Sequence, residues 1–229
     1  MSIEEFITQV GVSTPLKGMR RTAARRMVAA WQAPVFHLTV EVDMTEASKV
    51  KQVVPGATVT DVFIAASAKA LVAVPALNAH VGDDEVTLFT HANVGIAVAT
   101  EKGLTVPVIH GANTLTLSEI AARRSDVVQR ARTRGLAMDD VSGGTFTISN
   151  LGMMGVDRFD AILNVPQAAI LAIGSTRQRY VWREDGPLWL PIAELTLTCD
   201  HRAVDGATGA TFLAALVAAL TEPILRFTK

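Results

Sequence analysis

The chain has 229 residues, a formal net charge of −1, one cysteine, 49% hydrophobic residues and 19% charged residues. A near-neutral balance removes the electrostatic footprint of a nucleic-acid binder, and one cysteine excludes an internal disulfide and a cysteine-rich zinc site. Aromatic residues make up only 5%, so the apolar mass is mostly small and aliphatic.

Residues 1–12 read as a tail or linker remnant and 13–229 as one α/β domain. The most apolar stretches are 62–77, broken by Lys69 and Pro75, and 207–220. Both fall short of the roughly 20 uninterrupted residues a membrane helix needs. The expectation is a soluble, cytoplasmic protein with no membrane and no nucleic-acid partner, its excess apolar surface buried between subunits. Residues 20–32 have helical spacing, with Met19, Ala23, Met27 and Ala30 on one face and arginines elsewhere; Pro34 stops them. Residues 36–43 alternate like a half-buried strand. Thr45-Glu46 opens a short helix that Pro55-Gly56 ends, and Thr60 or Asp61 caps a helix over 62–74. Strands are predicted over 86–89, 93–99 and 104–109, with Glu101-Lys102-Gly103 as a turn. A long helix over 117–134 ends at Gly135. Strands over 145–149, 168–173 and 195–199 follow, and a final helix spans 207–220 with Pro223 after it.

One short stretch concentrates catalytic side chains: Cys199-Asp200-His201-Arg202-Ala203-Val204-Asp205-Gly206. Lying between a strand and a helix, it puts His201 at a strand end, and an imidazole takes a proton from a thiol or hydroxyl near neutral pH. Asp205 can orient the local backbone through a carboxylate–arginine pair, and Gly206 permits the turn into the helix. A second stretch, 143–152, places Thr145, Thr147 and Ser149 on one strand face, with Ser149 where the strand opens into a loop. A hydroxyl there can donate to a developing oxyanion; the plain alternative is a row of cross-strand contacts. Cys199 and His201 fall on one face if the strand continues, but a buried strand cysteine is more often a small hydrophobe. His37, His80, His91 and His110 are scattered, with no pair at ligand spacing, and no metal site is expected.

Together these residues resemble the catalytic domain of the dihydrolipoamide acyltransferases, the core subunits of 2-oxoacid dehydrogenase complexes. The family pattern His-Arg-x-x-Asp-Gly stands at 201–206, preceded by Asp200. Residues 144–152 (GTFTISNLG), 159–174 (FDAILNVPQAAILAIG), 15–27 (PLKGMRRTAARRM) and 104–109 (LTVPVI) are also similar to the family, so the likeness covers roughly 13–229 in order. It implies a two-layer chloramphenicol acetyltransferase-like sandwich, a mixed sheet with helices packed on one face, assembling as a homotrimer open to building a larger cage. By this resemblance His201 is the general base that removes the proton of the coenzyme A thiol. The thiolate attacks the thioester of an acyl-dihydrolipoyl group, Ser149 holds the oxyanion, and His201 returns the proton to the leaving sulfur. Asp205 is structural and pairs with Arg21 or Arg20. Histidine and serine come from neighbouring chains, and coenzyme A and the lipoyl arm enter from opposite ends of a channel. Such chemistry needs no metal: a base and an oxyanion donor supply roughly 10²–10⁴ and 10²–10³ in rate.

The family's usual lipoyl and subunit-binding modules have no counterpart in this sequence. The expectation is an excised core or a free-standing homologue that meets lipoyl domains and dehydrogenase-complex subunits as partners. Residues 43–60 are shorter than in the family, and Pro223-Ile224-Leu225-Arg226-Phe227 keeps apolar residues where related cores join trimers. Residues 159–166 favour acetyl over succinyl transfer, as in pyruvate dehydrogenase. Two other readings compete: a non-catalytic structural core, and a small-molecule O-acetyltransferase of the same fold.

Overall fold

A period of two runs through the central strands and gives the sheet two chemically different faces. The computed structural model describes residues 13–227 except 102, 134 and 185. The expected tail over 1–12, Lys102 of the expected turn, and Arg134 at the end of the long helix lie outside the described residues. In chain order the elements are α1 (Gly18–Ala30), β1 (Val35–Asp43), α2 (Val50–Val53), α3 (Val59–Ala73), β2 (Ala79–Val81), β3 (Val86–Leu88), β4 (Val94–Ile96), β5 (Val98–Thr100), β6 (Gly103–Thr105), β7 (Val108–Ile109), α4 (Leu117–Thr133), β8 (Phe146–Asn150), β9 (Ala169–Ile173), β10 (Arg177–Arg183), β11 (Gly186–Asp200) and α5 (Gly206–Thr221).

The main sheet runs β1-β11-β9-β8-β4-β7. Strand β8 is parallel to both neighbours, and the other pairings are antiparallel, so the sheet is mixed. One face is apolar. Leu38 on β1 stands opposite Leu197 on β11, and Phe146 on β8 meets Phe212 of α5 at 5.5 Å between ring centroids. Helix α5 lies close over this face because Gly209 has no side chain: a Cβ there would stand 2.6 Å from Leu38 Cδ1. Helix α3 packs beside α5 and α4 beside α3.

The opposite face is polar and arranged in rows. Thr147, Ile170, Thr198 and His37 share one row across four strands, and Ser149, Ala172, Thr196 and Thr39 share the next. Two pairs hydrogen-bond directly, His37 Nδ1 with Thr198 Oγ1 at 2.9 Å and Thr39 with Thr196 at 3.1 Å. The end of α1 crosses this face, where Ala30 packs on Leu163 and Ile170. Among the described residues no helix is long and apolar enough to cross a membrane.

Several boundaries differ from the sequence reading for physical reasons. Helix α3 starts at Val59, not Val62, because Thr58 is the cap and Asp61 the residue that folds back. The Asp61 carboxylate accepts from Thr58 N at 2.7 Å and Thr58 Oγ1 at 2.9 Å. Asp61 is fully buried and takes a two-pronged Arg124 guanidinium at 2.9 Å on each oxygen, tying α3 to α4. The strand expected over 104–109 is two short ones, broken before Pro107, which has no N–H to give the ladder. The strand expected over 93–99 breaks at Ala97, whose N–H goes to Ile148 O. The short helix expected from Thr45 is a 3₁₀ turn over Ala47–Lys49 followed by α2. Strands β2 and β10 and the first half of β11 were not read from sequence at all.

Candidate active site

His201 stands in the turn that leaves β11, just past the last paired residue, Asp200. Its backbone N–H donates to Pro34 O at 2.8 Å, fastening the turn to the segment between α1 and β1. The imidazole lies over the Phe36 ring at 4.7 Å between centroids and is solvent-exposed. Among the described residues neither ring nitrogen makes a hydrogen bond, so both are available to a substrate.

Asp205 is the N-cap of α5. Its carboxylate accepts the Thr208 N–H at 2.7 Å, and that contact, with a smaller pull from His201, holds its pKa below the usual carboxylate value. The pairing expected with Arg21 or Arg20 is not formed within the chain: among the described residues Asp205 has no arginine partner. The reason is placement. Arg20 sits at the start of α1 beside Gly103, whereas the other end of α1 leads to the His201 turn.

Ser149 ends β8 on the polar face. Thr145 and Thr147, four and two residues before it, have committed hydroxyls. Thr145 donates to Asn78 Oδ1 at 2.6 Å, and Thr147 donates to Gln167 Oε1 at 2.6 Å while accepting from Asn164 at 3.1 Å. Those two hydroxyls are structural, but their partners lie in connecting segments and not on the neighbouring strands. Ser149 differs: among the described residues its hydroxyl has no partner. The loop after it is held firmly. Asn150 Oδ1 accepts the Gly152 N–H at 2.9 Å, and Ser175 Oγ donates to Gly152 O and Val156 O. Gly174 allows that loop to press onto the end of β9, since a Cβ there would fall 1.9 Å from Asp157 O.

His201 and Ser149 are not neighbours within one chain. Ser149 shares its row with Ala172 and Thr196, and His201 lies five residues further along β11 and two strands away. With about 3.3 Å per residue and about 4.8 Å per strand, the two side chains stand roughly 15–20 Å apart. A single chain does not bring the base to the hydroxyl.

The remaining candidates have structural tasks. Cys199 is buried on the helix-covered face, where burial, with Asp200's charge adding to it, pushes its thiol up to about 12. His80 Nε2–H donates to Gly144 O at 2.8 Å and His110 Nε2–H to Asp139 O at 3.0 Å, while His37 holds Thr198. Among the described residues no group of three or more His, Cys, Asp or Glu could hold a metal ion. Two residues in the His201 turn went unassigned in the sequence. Asp200 is 1% exposed and carries Arg202 on both oxygens, Nη2 at 2.6 Å and Nε at 3.0 Å. The only sequence signal was a charge that continues the polar face of Thr196 and Thr198 to the end of the strand.

The chain is similar to several known proteins. The family described as 2-oxoacid dehydrogenases acyltransferase (catalytic domain) matches residues 9–228. The dihydrolipoyllysine-residue acetyltransferase component of the pyruvate dehydrogenase complex from Rickettsia bellii is 34% identical over 221 residues, 92% of this chain and 53% of the relative. The chain thus spans about half the length of that relative. The cubic core of the pyruvate dehydrogenase multienzyme complex superposes with a TM-score of 0.89 at 28% identity, covering 96% of this chain and 97% of that one. The dihydrolipoamide acetyltransferase of Azotobacter vinelandii, in which a serine, a histidine and an asparagine have been investigated for their role in the catalytic mechanism, superposes with 0.87 at 28% identity and the same coverage. Chloramphenicol acetyltransferase shares the fold, with a TM-score of 0.56 at 14% identity over 91% of this chain and 98% of that one. By the match over nearly its whole length, the chain belongs to the family of 2-oxoacid dehydrogenase acyltransferase catalytic domains.

Proposed function

We propose that the chain transfers an acyl group, acetyl favoured, between dihydrolipoamide and coenzyme A. His201 takes the proton from the attacking thiol, and the thiolate adds to the thioester carbonyl. Ser149 donates its hydroxyl hydrogen bond to the resulting oxyanion. Collapse of the tetrahedral intermediate breaks the old C–S bond, and the departing sulfur receives the proton from His201. The reaction is reversible because thioester is exchanged for thioester. The observation that carries this reading is that both groups are chemically idle in the chain, one imidazole and one hydroxyl with every nearby alternative committed. Their spacing in sequence, with Asp205 after them, is also that of the serine, histidine and asparagine of the Azotobacter enzyme.

The separation within one chain means the site is completed by a second copy, His201 from one and Ser149 from the next. A homotrimer is the smallest closed ring consistent with the family's fold. All three tryptophans are exposed, Trp31 at 76%, Trp182 at 79% and Trp189 at 65%, which supports such packing. The likeness to a cubic core supports further assembly into a cage alongside dehydrogenase-complex subunits. The lipoyl group arrives on a separate domain or chain, and coenzyme A from the other end of the channel.

The test is a panel of acetyl-, propionyl-, succinyl- and isobutyryl-coenzyme A assayed with dihydrolipoamide and with a small-molecule hydroxyl acceptor, alongside native mass spectrometry. The highest kcat/KM is expected for acetyl-coenzyme A with dihydrolipoamide. Turnover of the hydroxyl acceptor alone would point to an O-acetyltransferase, and an intact assembly with no turnover to a structural core.

A further inference from the structure

We infer that Asp200 and Arg202 form a positioning device for His201, bracing the turn from both sides so that its imidazole stands where the thiol arrives; this rests on His201 being the general base. A histidine base is usually aimed by a third group hydrogen-bonded to its second nitrogen. Among the described residues this imidazole has no such partner, and Asp205, the obvious candidate, accepts from Thr208 instead. The aim must therefore come from the backbone that carries the ring.

That backbone is tied on every side. Asp200 Oδ1 accepts the Arg202 backbone N–H at 3.0 Å and its Nε at 3.0 Å, and Oδ2 accepts Nη2 at 2.6 Å, closing a ring of bonds around His201. The Asp200 carbonyl accepts Ala203 N at 3.1 Å and Val204 N at 3.0 Å, and its own N–H donates to Ala168 O at 2.9 Å. Arg202 reaches on to Gly82 O at 3.4 Å in the β2–β3 turn. His201 is thus anchored to three separate parts of the fold: Pro34, Ala168 through Asp200, and Gly82 through Arg202.

The test uses the assembled protein with Asp200→Asn, Arg202→Gln and the double variant, reading kcat and both KM values, thermal melting, and the crystal structure of the double variant. Arg202→Gln should melt lowest, because it leaves a carboxylate buried alone. The double variant should regain most of the melting temperature while kcat stays roughly 10- to 100-fold down and KM stays within about twofold. Its imidazole should have left the Phe36 ring. Arg202→Lys should recover little kcat, since an ammonium does not reproduce the fork. A double variant with wild-type kcat, or with kcat and melting recovering in step, overturns the inference. Should the wild type itself transfer no acyl group, the functional reading fails. The inference is then decided by the double variant's crystal structure: an imidazole still on Phe36 overturns it, and a displaced one upholds it.

Discussion

Two inactive variants should make an active protein when they share a ring. Ser149→Ala and His201→Ala each remove one half of the proposed site, and the halves lie roughly 15–20 Å apart within a chain, by strand register and spacing. No side-chain motion spans that gap, because both groups sit on paired strands or on the tied turn next to one. Co-expression of equal amounts, with selection of rings that carry both variants, should give trimers in which one site of the three joins an intact histidine to an intact serine. The expected activity is therefore about a third of wild type, whereas loss of one oxyanion donor alone leaves roughly 10⁻²–10⁻³. Steady-state acetyl transfer to dihydrolipoamide, measured on co-purified rings bearing two different affinity tags, reads this directly. Mixed rings no more active than the two variants added together would refute a site shared between chains.

Other outcomes follow from the same geometry. Ser149→Ala by itself should lower kcat by roughly 10²–10³ with little change in either KM, checked by initial-rate kinetics. Cys199 should resist disulfide reagents in the folded protein at pH 8 and react once urea unfolds it, since its thiol is held at about 12. The folded pKa is raised above the unfolded value of about 8.5, so this group's contribution to stability is complete below that pH and is lost as pH rises toward about 12. The melting temperature of wild type should accordingly fall more steeply across that window than that of Cys199→Ala. Arg124→Ala, which strands the buried Asp61 carboxylate, should cost about 3 kcal/mol in urea unfolding; a cost near zero would mean that water or another cation replaces the guanidinium.

The elements that carry the chemistry were legible because local signals agree there. Strand β8 alternates cleanly and opens at Ser149, and the His201 turn sits between a strand pattern and a helix with Asp205 at its cap position. The hairpin of β10 and β11 was hidden because Arg177, Arg179 and Arg183 dilute its apolar signal and Pro187 and Pro191 argue against a strand. It persists because Arg179 bridges Glu41 and Glu194 across the sheet, and because the prolines lie beyond the stretch that β9 covers. The start of α3 was misplaced for a subtler reason. Asp61 has the chemistry of a cap but acts from the third helical position, a distinction that depends on where Thr58 points. The roles of Asp200 and Arg202 required burial, which no pattern supplies. The distance between His201 and Ser149 required register; before it, a histidine and a serine from neighbouring chains were only what the family resemblance implies.

The most direct measurement is kcat for acetyl transfer from acetyl-coenzyme A to dihydrolipoamide by His201→Ala, on protein whose native mass matches wild type. Loss of the general base predicts a fall of roughly 10²–10⁴ with KM little altered. Wild-type turnover by that variant, in an intact assembly, would contradict the assignment of His201 as the base.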